Sequence, residues 1–416
     1  MASGSMMIDA APSVARLDQS KTDAMNAASF EARITASVVG GADNATSGYD
    51  DLCRRAVFAP SQSASWVSNW IAECRPDFLI ATLYLDEQPI LALSLEVVSA
   101  GPFRIAQFMG GRHANGNFPA TDIERLPREM KRSLALLLEA ISRQRPDIDV
   151  ISLNRLLPEL DGRPNPFLAF PSSISPNVSL AVDLAGGFEA LLQRPNGVRK
   201  QKKHRSQGRK LESFGPCRRI EAKTSQEVGV LLDAFFAMKD ARFRKMGIAN
   251  VFAAPEVRSF FAKLFVDALS ETHPPFVLHG LEVGGILRAV TGSSRCGSRL
   301  ICEFGSISDD VLAHASPGGF LFFDNIREAC EQGFAVYDFS VGDEPYKRNW
   351  CDLEIQHRDV LLPLTMKGRA FAFGLHQNAR LTAYIKSNPA IWRLMKSVRR
   401  KAIGQSANQP DNREDG

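Results

Sequence analysis

The stretch that decides the fold runs from Phe276 to Ile307 and reads FVLHGLEVGGILRAVTGSSRCGSRLICEFGSI. Apolar and β-branched residues fill three runs in it, and two turn signals, Gly284-Gly285 and Cys296-Gly297, separate the runs. Glycine pairs and Gly-containing turns of this kind are typical of tight β-hairpins. The pattern predicts three consecutive antiparallel strands, at residues 276–281, 286–293 and 299–307.

A helix and a further strand follow this hairpin region. Ser316 is a residue type that favours the N-cap of a helix, and Pro317 is tolerated at the first helical position. Apolar residues then recur at helical spacing until Gly333, and residues 336–340 form another strand-like run. A helix that crosses between two strands of one sheet makes a parallel βαβ unit, so the sheet is predicted to be mixed.

The same order of elements occurs earlier in the chain. Strand-like runs are followed by a polar Gly/Asn loop, a helix and a closing strand, at residues 78–85, 89–98, 103–109, 110–119, about 122–143 and 150–153. The likeness lies in the order of elements and not in residue identity. We therefore predict an α/β (α+β) protein with tandem halves, each a mixed, mostly antiparallel sheet flanked by helices.

Length and composition agree with two folded halves. The 416 residues exceed what one hydrophobic core usually supports, and 44% apolar with 23% charged residues is ordinary for a globular protein. The tails lack hydrophobic periodicity. The predicted divisions are a disordered tail, two domains, a helical segment and a second tail, at residues 1–28, 29–190, 191–365, 366–403 and 404–416.

Several classes of protein are disfavoured by the sequence. A net charge of +4 with interspersed signs gives no case for binding DNA, and no run of about 18 apolar residues or signal-peptide core is present. Seven cysteines without a C-x-x-C pair, and histidines without H-E-x-x-H spacing, predict neither a metal nor a disulfide framework. A cytoplasmic location fits best.

The turn formed by Ser316, Pro317, Gly318 and Gly319 is a candidate anion site. A helix start offers unpaired backbone N–H groups and a positive dipole end, and glycines let an anion approach the backbone. A plain helix start without a ligand is the alternative interpretation of the same residues.

A family resemblance extends from about Asn196 to Trp350. The resemblance rests on four features: a basic segment that begins at Arg199, the pattern Phe235-x-x-x-Lys239-x-x-Arg242, the Ser316-Pro317-Gly318 turn and the run from Asp338 to Trp350. Together they resemble the acetyltransferase family described from the bacterial cellulose-biosynthesis protein CelD, also termed BioF2-like, a branch of the GNAT superfamily. His314-Ala315-Ser316-Pro317 stands where ordinary GNAT enzymes have an Arg or Gln followed by spaced glycines.

The resemblance implies tandem GNAT-like halves akin to the Fem-type aminoacyltransferases. It implies acetyl-CoA, or another acyl-CoA, as co-substrate, held at the Ser316 to Gly319 turn with Phe320 and Lys347. It also implies acceptor contacts from Lys239, Arg242, Arg199 and, in the first-half loop, Asn115. The acceptor it suggests is a sugar or polysaccharide precursor in exopolysaccharide biosynthesis, and the cofactor site is expected in the second half only.

Acyl transfer to an amine or hydroxyl needs a base for the acceptor's proton and, in some enzymes, an acid for the thiolate. Asp343, in a loop after a strand, is the first choice for the base, with Glu303 and Asp338 as further candidates, and Tyr346 is the candidate acid. The alternatives are that Glu303 faces solvent, that Asp338 and Asp343 cap turns, that Tyr346 packs, and that Lys347 forms a surface ion pair. No cysteine or serine has a recognisable activating partner, so direct attack by the acceptor is predicted.

Two basic segments leave their roles open. Residues 199–210 could meet CoA phosphates, an anionic acceptor or RNA, or form a solvated helix face. The end of the 366–403 segment is amphipathic, and it either packs on the second domain or touches an anionic membrane surface weakly. The alternatives to an acyl-CoA-dependent enzyme are an aminoacyl-tRNA-dependent transferase and a non-catalytic binding subunit. The oligomeric state is not predicted.

Overall fold

The computed structural model describes residues 33–41 and 46–375. The two predicted tails, and most of the C-terminal segment with its basic end, lie outside the described residues. Residues 366–375 of that segment are helical. Among the described helices, none has the length and apolar character needed to cross a membrane.

Strands and helices alternate along much of the described chain. The strands are β1 (Ile34–Val39), β2 (Phe78–Leu85), β3 (Gln88–Ala100), β4 (Phe103–Phe108), β5 (Ala120–Thr121), β6 (Val150–Leu156), β7 (Glu159–Leu160), β8 (Arg163–Pro164), β9 (Ser172–Asp183), β10 (Cys217–Glu221), β11 (Phe276–Val283), β12 (Ile286–Cys296), β13 (Arg299–Ile307), β14 (Val336–Val341) and β15 (Leu353–Pro363). The helices are α1 (Ser47–Cys53), α2 (Ala64–Cys74), α3 (Met130–Gln144), α4 (Gly187–Gln193), α5 (Gly197–Glu212), α6 (Ser225–Met246), α7 (Pro255–Ala268), α8 (Pro317–Glu331) and α9 (Pro345–Arg348).

One continuous sheet crosses both halves. Its order is β1-β2-β3-β4-β6-β15-β9-β14-β13-β12-β11-β10, with the short β5 beside β3. Among the strands that the structure describes, only β4 with β6 and β13 with β14 pair in parallel, and each of these pairs is bridged by a helix, α3 or α8. The predicted fold class, two halves with a mixed and mostly antiparallel sheet flanked by helices, is confirmed.

The two halves exchange their last strands at the centre of the sheet. Strand β9 follows the first half in sequence but pairs with β14 of the second half, while β15 pairs with β6 of the first. The exchanged strands also pair with each other. This interlocking makes the halves structurally dependent, and the division at residues 190 and 191 stays a prediction.

The predicted elements and the observed ones differ at one helix. Helix α3 begins at Met130 and not near residue 122, because Pro127 interrupts the approach. Leu126, the residue before the proline, is extended with ψ 132°, as the clash with a proline ring requires. The hairpin at Gly284-Gly285 is confirmed, and both glycines have positive φ.

In the second half, different helices cover the two faces of the sheet, so the site has two sides. On β12, Val290 packs with the aromatic residues of α6 and α7, whereas its neighbour Ala289 packs with Leu321 of α8. Successive residues of a strand point to opposite faces. Helices α6 and α7 therefore lie on one face of the second half, and α8 with α5 lies on the other.

The core joins the halves on the α6 and α7 face. The Trp66 ring of α2 meets the Phe260 ring of α7 edge-on at 5.0 Å, and Trp70 meets the same ring at 4.8 Å. Edge-to-face aromatic pairs add about 0.5–1.5 kcal/mol beyond their buried area. The first half is thus fixed against the side of the second half where Glu303 lies.

Candidate functional site

Glu303 is the extra residue of a β-bulge in β13. Gly292 of β12 pairs with Phe304 and Ser293 pairs with Cys302, so that Glu303 has no opposite partner. The bulge also changes the face: Cys302 packs with α8, and Phe304 packs with α6 and α7, although residues two apart normally share a face. Bulges of this kind redirect a side chain and recur next to active sites.

The bulge lies where β13 and β14 separate. These parallel strands are paired only from Arg299–Ile301 to Val336–Asp338, although β13 continues to Ile307. Beyond the last pair the sheet opens between them. Backbone groups that line such an opening are available to a ligand.

The Glu303 carboxylate is held by residues from both halves. Ser294 Oγ donates to Oε1 at 2.6 Å, and Asn115 Nδ2 donates to Oε2 at 3.1 Å and to the Glu303 carbonyl oxygen at 2.8 Å. Burial raises the pKa of Glu303 to about 7, against the lowering effect of these two donors. A carboxyl group with this pKa can accept a proton near neutral pH. Asn115, predicted to bind the acceptor, contacts the candidate base, and its contact with an acceptor stays a prediction.

Asp338 lies deep in the sheet beside this site. It is 3% exposed, and its Oδ1 accepts from Ser179 Oγ at 2.9 Å and from the Ser340 backbone N–H at 2.7 Å. Burial raises its pKa. The carboxylate fixes the irregular end of β14, where Ser340 has φ 61°, against the exchanged strand β9.

The predicted anion-binding turn is formed by the start of α8. Ser316 occupies the N-cap position, but its side chain makes no capping bond and its φ is 54°. The Gly318 Cα faces the end of β13, since a Cβ there would lie 2.6 Å from Ile307 Cγ2. Gly319 lies at a cleft, where a Cβ would meet Gln207 Nε2 at an ordinary 3.4 Å. Gln207 also donates to the Ser316 carbonyl oxygen at 3.3 Å.

The cleft at this turn has a basic wall. It measures about 130 Å³, and its lining comes from α5, α8 and the α9 region: Asn196, Arg199, Lys200, Lys203, Gln207, Gly319, Phe322, Phe323, Tyr346, Asn349 and Trp350. The Lys200 ammonium lies 4.5 Å from the centre of the Trp350 ring. Three cations of the basic run and the start of α8 therefore face one cleft, an arrangement suited to an anion.

Phe320 packs away from this cleft. Its ring stacks on the His204 ring at 4.1 Å, and His204 stacks on Phe323 at 3.9 Å from the other side. His204 Nε2 lies 3.2 Å from Asp324 Oδ1. These contacts fasten the basic helix α5 to α8, so the structure gives Phe320 a packing contact.

The residues after β14 divide between the site and the surface. Tyr346 lines the cleft and stacks on Phe322 at 5.7 Å, and burial raises its pKa. Lys347 is buried, and its ammonium donates to the Val341 carbonyl oxygen at 3.0 Å. Asp343 is exposed and accepts from Arg348 Nε at 2.6 Å, an ion pair that lowers its pKa.

Lys239 and Arg242 lie on α6, on the opposite face from the cleft. The Lys239 ammonium lies 5.6, 5.7 and 5.9 Å from the ring centres of Phe235, Phe243 and Phe252. Burial lowers its pKa to about 8. The Phe235 ring beside it lies 4.3 Å from the ring of Phe304, which follows Glu303 in β13, so Lys239 lies on the same side of the sheet as the bulge.

The structure thus brings most of the predicted residues around one opening. Asn115, Glu303 and Asp338 lie at the separating strands, Gly319, Arg199 and Tyr346 lie at the cleft, and Lys239 and Arg242 lie on the far face. Asp343 is on the surface. The Lys347 side chain is buried and does not line the cleft.

Several contacts were not predicted from the sequence. Ser294 and Ser179 contact Glu303 and Asp338 through pairings across the sheet. Ser179 and Asp338 are 159 residues apart. The adjacent polar pair Ser293-Ser294 inside a buried strand is a local signal from which a site could have been predicted.

A separate group could hold a metal ion by geometry alone. The ligand atoms of Glu221, His279 and Glu328 lie within 4.8 Å of one another. Lys223 and Arg219 form ion pairs with the two carboxylates. Because cations already satisfy both acids, the group serves as an ion-pair network, and the absence of a metal stays a prediction.

Comparisons with known proteins bear on the second half most directly. Residues 198–348 match the family model described as "Acetyltransferase (GNAT) domain". No curated protein matches the sequence. The matched region is similar to a GNAT acetyltransferase domain, and it contains the bulge, Tyr346 and most of the residues that line the cleft.

Solved structures resemble the whole described fold. The crystal structure of FemX has a TM-score of 0.52 at 10% identity, over 78% of this chain and 97% of that one. The C-terminal domain (DUF2156) of a putative lysylphosphatidylglycerol synthetase from Agrobacterium fabrum has a TM-score of 0.49 at 12% identity, over 79% and 93%. At such identities the likeness to FemX concerns the fold and not the donor or acceptor.

Proposed function

We propose that this chain is an acyl-CoA-dependent acyltransferase, with acetyl-CoA as donor and an amine or hydroxyl as acceptor. The observation that carries the proposal is the bulged, partly buried Glu303 where β13 and β14 separate, together with a basic cleft at the start of α8. The GNAT domain match over residues 198–348 supports the class of reaction.

The cleft suits the phosphates of the donor. Arg199 and Lys203 supply charge, and the start of α8 supplies N–H groups and a positive dipole end at Gly319. The missing side chain at Gly319 leaves room for a phosphate against the backbone. From there the opening between β13 and β14 gives the thioester a path to Glu303.

The chemistry is a direct transfer between two substrates. Glu303 takes the proton from the acceptor nitrogen or oxygen, which attacks the thioester carbon. The carbon–sulfur bond breaks as the new carbon–nitrogen or carbon–oxygen bond forms. Tyr346 donates its hydroxyl proton to the departing thiolate, so the products are the acylated acceptor and free CoA.

Glu303 serves as the base better than Asp343 because of its surroundings. The raised pKa of Glu303 gives a carboxylate that is basic near pH 7, and Asn115 and Ser294 orient it. Asp343 is exposed, and its pKa is lowered by Arg348, so it is a poor proton acceptor. Asp338 shapes the end of β14.

The acceptor of the proposed reaction is a sugar or polysaccharide precursor. This assignment, with a role in exopolysaccharide production and a cytoplasmic location, depends on the resemblance to the CelD family and on no contact in the structure. The proposal for the reaction class is independent of it.

Titration calorimetry with acetyl-CoA tests the donor. We expect the wild type to bind and Gly319→Ala to bind at least about tenfold more weakly, a loss of about 1.4 kcal/mol. The added methyl group would occupy the place of the phosphate without a clash in the fold. No binding by the wild type at millimolar acetyl-CoA contradicts the proposal.

Gly229→Ala is the matched control. It makes the same change inside helix α6, where a Cβ would have nothing within 4 Å. Both substitutions should keep or slightly raise thermal stability, since alanine favours a helix. If aminoacyl-tRNA binds and acetyl-CoA does not, the donor belongs to the alternative class and the basic helix serves RNA.

A further inference from the structure

Lys239 is a cation without an anion in the described part of the chain. Three phenylalanine rings surround its ammonium at 5.6 to 5.9 Å, and none of its three N–H donors has a hydrogen-bond acceptor among the described residues. Aromatic faces attract a cation but do not replace hydrogen bonds. A half-buried ammonium in this state is stabilised by any anion that enters beside it.

Arg242 adds a second unpaired cation one helical turn away. It is exposed, and it forms no ion pair or hydrogen bond with the described residues, whereas Lys245, on the same helix, pairs with Asp309 at 2.5 Å. Residues three apart on a helix are neighbours. Lys239 and Arg242 therefore present two cationic groups toward the same space.

That space lies beside the bulge, on the side away from the basic cleft. The Phe235 ring next to the Lys239 ammonium lies 4.3 Å from the ring of Phe304, the residue after Glu303 in β13. Phe235 and Phe304 both belong to the core on the α6 and α7 face. Since α6 and α8 cover opposite faces, a donor in the α5 and α8 cleft leaves the α6 side for the acceptor.

We propose that Lys239 and Arg242 bind an anionic group of the acceptor, a carboxylate or phosphate, and so orient its nucleophile toward Glu303. This inference rests on the proposed function, because it assigns the substrate class for the same site. An acceptor of this class carries a negatively charged group in addition to the amine or hydroxyl that is acylated. A neutral sugar would leave both cations unmatched.

Chemical footprinting tests the anion without needing turnover. Deuterated acetic anhydride labels exposed amines, and mass spectrometry gives the labelling rate of Lys239, with Lys245 as the internal control. The probes are glucose 6-phosphate against glucose, and succinate against succinamide. We expect an anionic member to slow the labelling of Lys239 and not of Lys245, and the arm that protects identifies phosphate or carboxylate.

Two outcomes overturn the inference. Equal labelling of Lys239 with every probe at tens of millimolar shows that no anion of either kind binds there. Protection of Lys239 by coenzyme A alone assigns the cations to the donor. Calorimetry with acetyl-CoA tests the donor independently of this labelling. Binding of acetyl-CoA without protection of Lys239 by any anion therefore contradicts the inference and leaves the proposed donor intact.

A variant pair tests the consequence for catalysis. With acetyl-CoA, glucosamine 6-phosphate and glucosamine are compared as acceptors, and so are alanine and alaninamide. We expect the anionic member of one pair to be preferred by about tenfold, or about 1.4 kcal/mol, and Lys239→Met to abolish that preference. Methionine keeps an apolar stem among the rings. Lys245→Met should leave the preference unchanged, and a preference that survives Lys239→Met and Arg242→Gln together contradicts the inference.

Discussion

Strands β4 and β13 hold equivalent places in the two halves but end differently. Each is paired with its parallel neighbour over three residues, Ile105–Gln107 in the first half and Arg299–Ile301 in the second. Two residues further along stand Met109 and Glu303. Met109 is fully buried in the hydrophobic core, whereas Glu303 is bulged out and hydrogen-bonded.

The loops that follow β4 and β13 also differ between the two halves. After β4, residues 110–119 cross to the second half, where Asn115 binds Glu303. After β13, the chain enters α8 through the Ser316 turn and leaves a basic cleft. The comparison teaches that one framework can serve as a support in one half and as a site in the other, and that the supporting half completes the site.

The largest effect is expected from Glu303→Gln. Loss of the base should lower kcat for CoA release by about 10²- to 10⁴-fold. The matched change in the first half, Met109→Leu, should leave kcat within about twofold because it conserves volume in a core. Similar losses for both variants would contradict the distinction between the halves.

The wild type and Glu303→Gln should also differ in how their stability depends on pH. Because burial raises the pKa of Glu303 to about 7, the folded wild type holds a proton that the unfolded chain releases between the ordinary pKa of a glutamate and 7. The free energy of unfolding of the wild type therefore falls as pH rises through this window, by at most about 1.4 kcal/mol per pH unit. Glu303→Gln should not show this fall in urea unfolding at pH 4 and 8.

Tyr346→Phe should have the next largest effect, roughly tenfold on kcat, because the thiolate loses its proton donor while the ring still stacks on Phe322. Tyr337→Phe removes a hydroxyl from a buried tyrosine that has no hydrogen-bond partner among the described residues, and it is the matched control. Thiol release from acetyl-CoA measures both. Unchanged turnover in Tyr346→Phe would remove this hydroxyl from the mechanism.

The contact between the halves is tested by Asn115→Ala. Asn115 donates to the charged form of Glu303 and lowers its pKa, so its removal should raise that pKa further. The rising limb of kcat/KM against pH should then move upward by up to about one pH unit. An unmoved limb, with acetyl-CoA binding intact, would show that the loop does not tune the base.

The smallest effect is expected from Asp343→Asn, less than about twofold on kcat, since surface ion pairs contribute little. Asp343 is bound by Arg348 at the surface and does not contact the opening. A loss comparable to that of Glu303→Gln would return the role of base to Asp343. Steady-state rates of the two variants, measured together, decide between them.

Much of the fold could be predicted from local patterns. The Gly284-Gly285 hairpin, the strands around it and the helix that starts at Pro317 are determined by hydrophobic periodicity and turn chemistry, which act between neighbouring residues. Periodicity alone places the start of α3 wrongly, because it does not include the effect of Pro127 on the residue before it. The strand exchange of β9 and β15 has no local signal.

The candidate site was also predictable only in part. Its residue types could be read from the sequence: a Ser-Pro-Gly-Gly helix start, a basic helix, and a cluster of acids with a tyrosine. Which acid is enclosed follows from the packed fold, because Glu303 is enclosed by a bulge in the pairing of β12 with β13 and by Asn115, which is 188 residues away in the chain. Burial and hydrogen bonding set a pKa, and both are properties of the packed fold and not of the residue type.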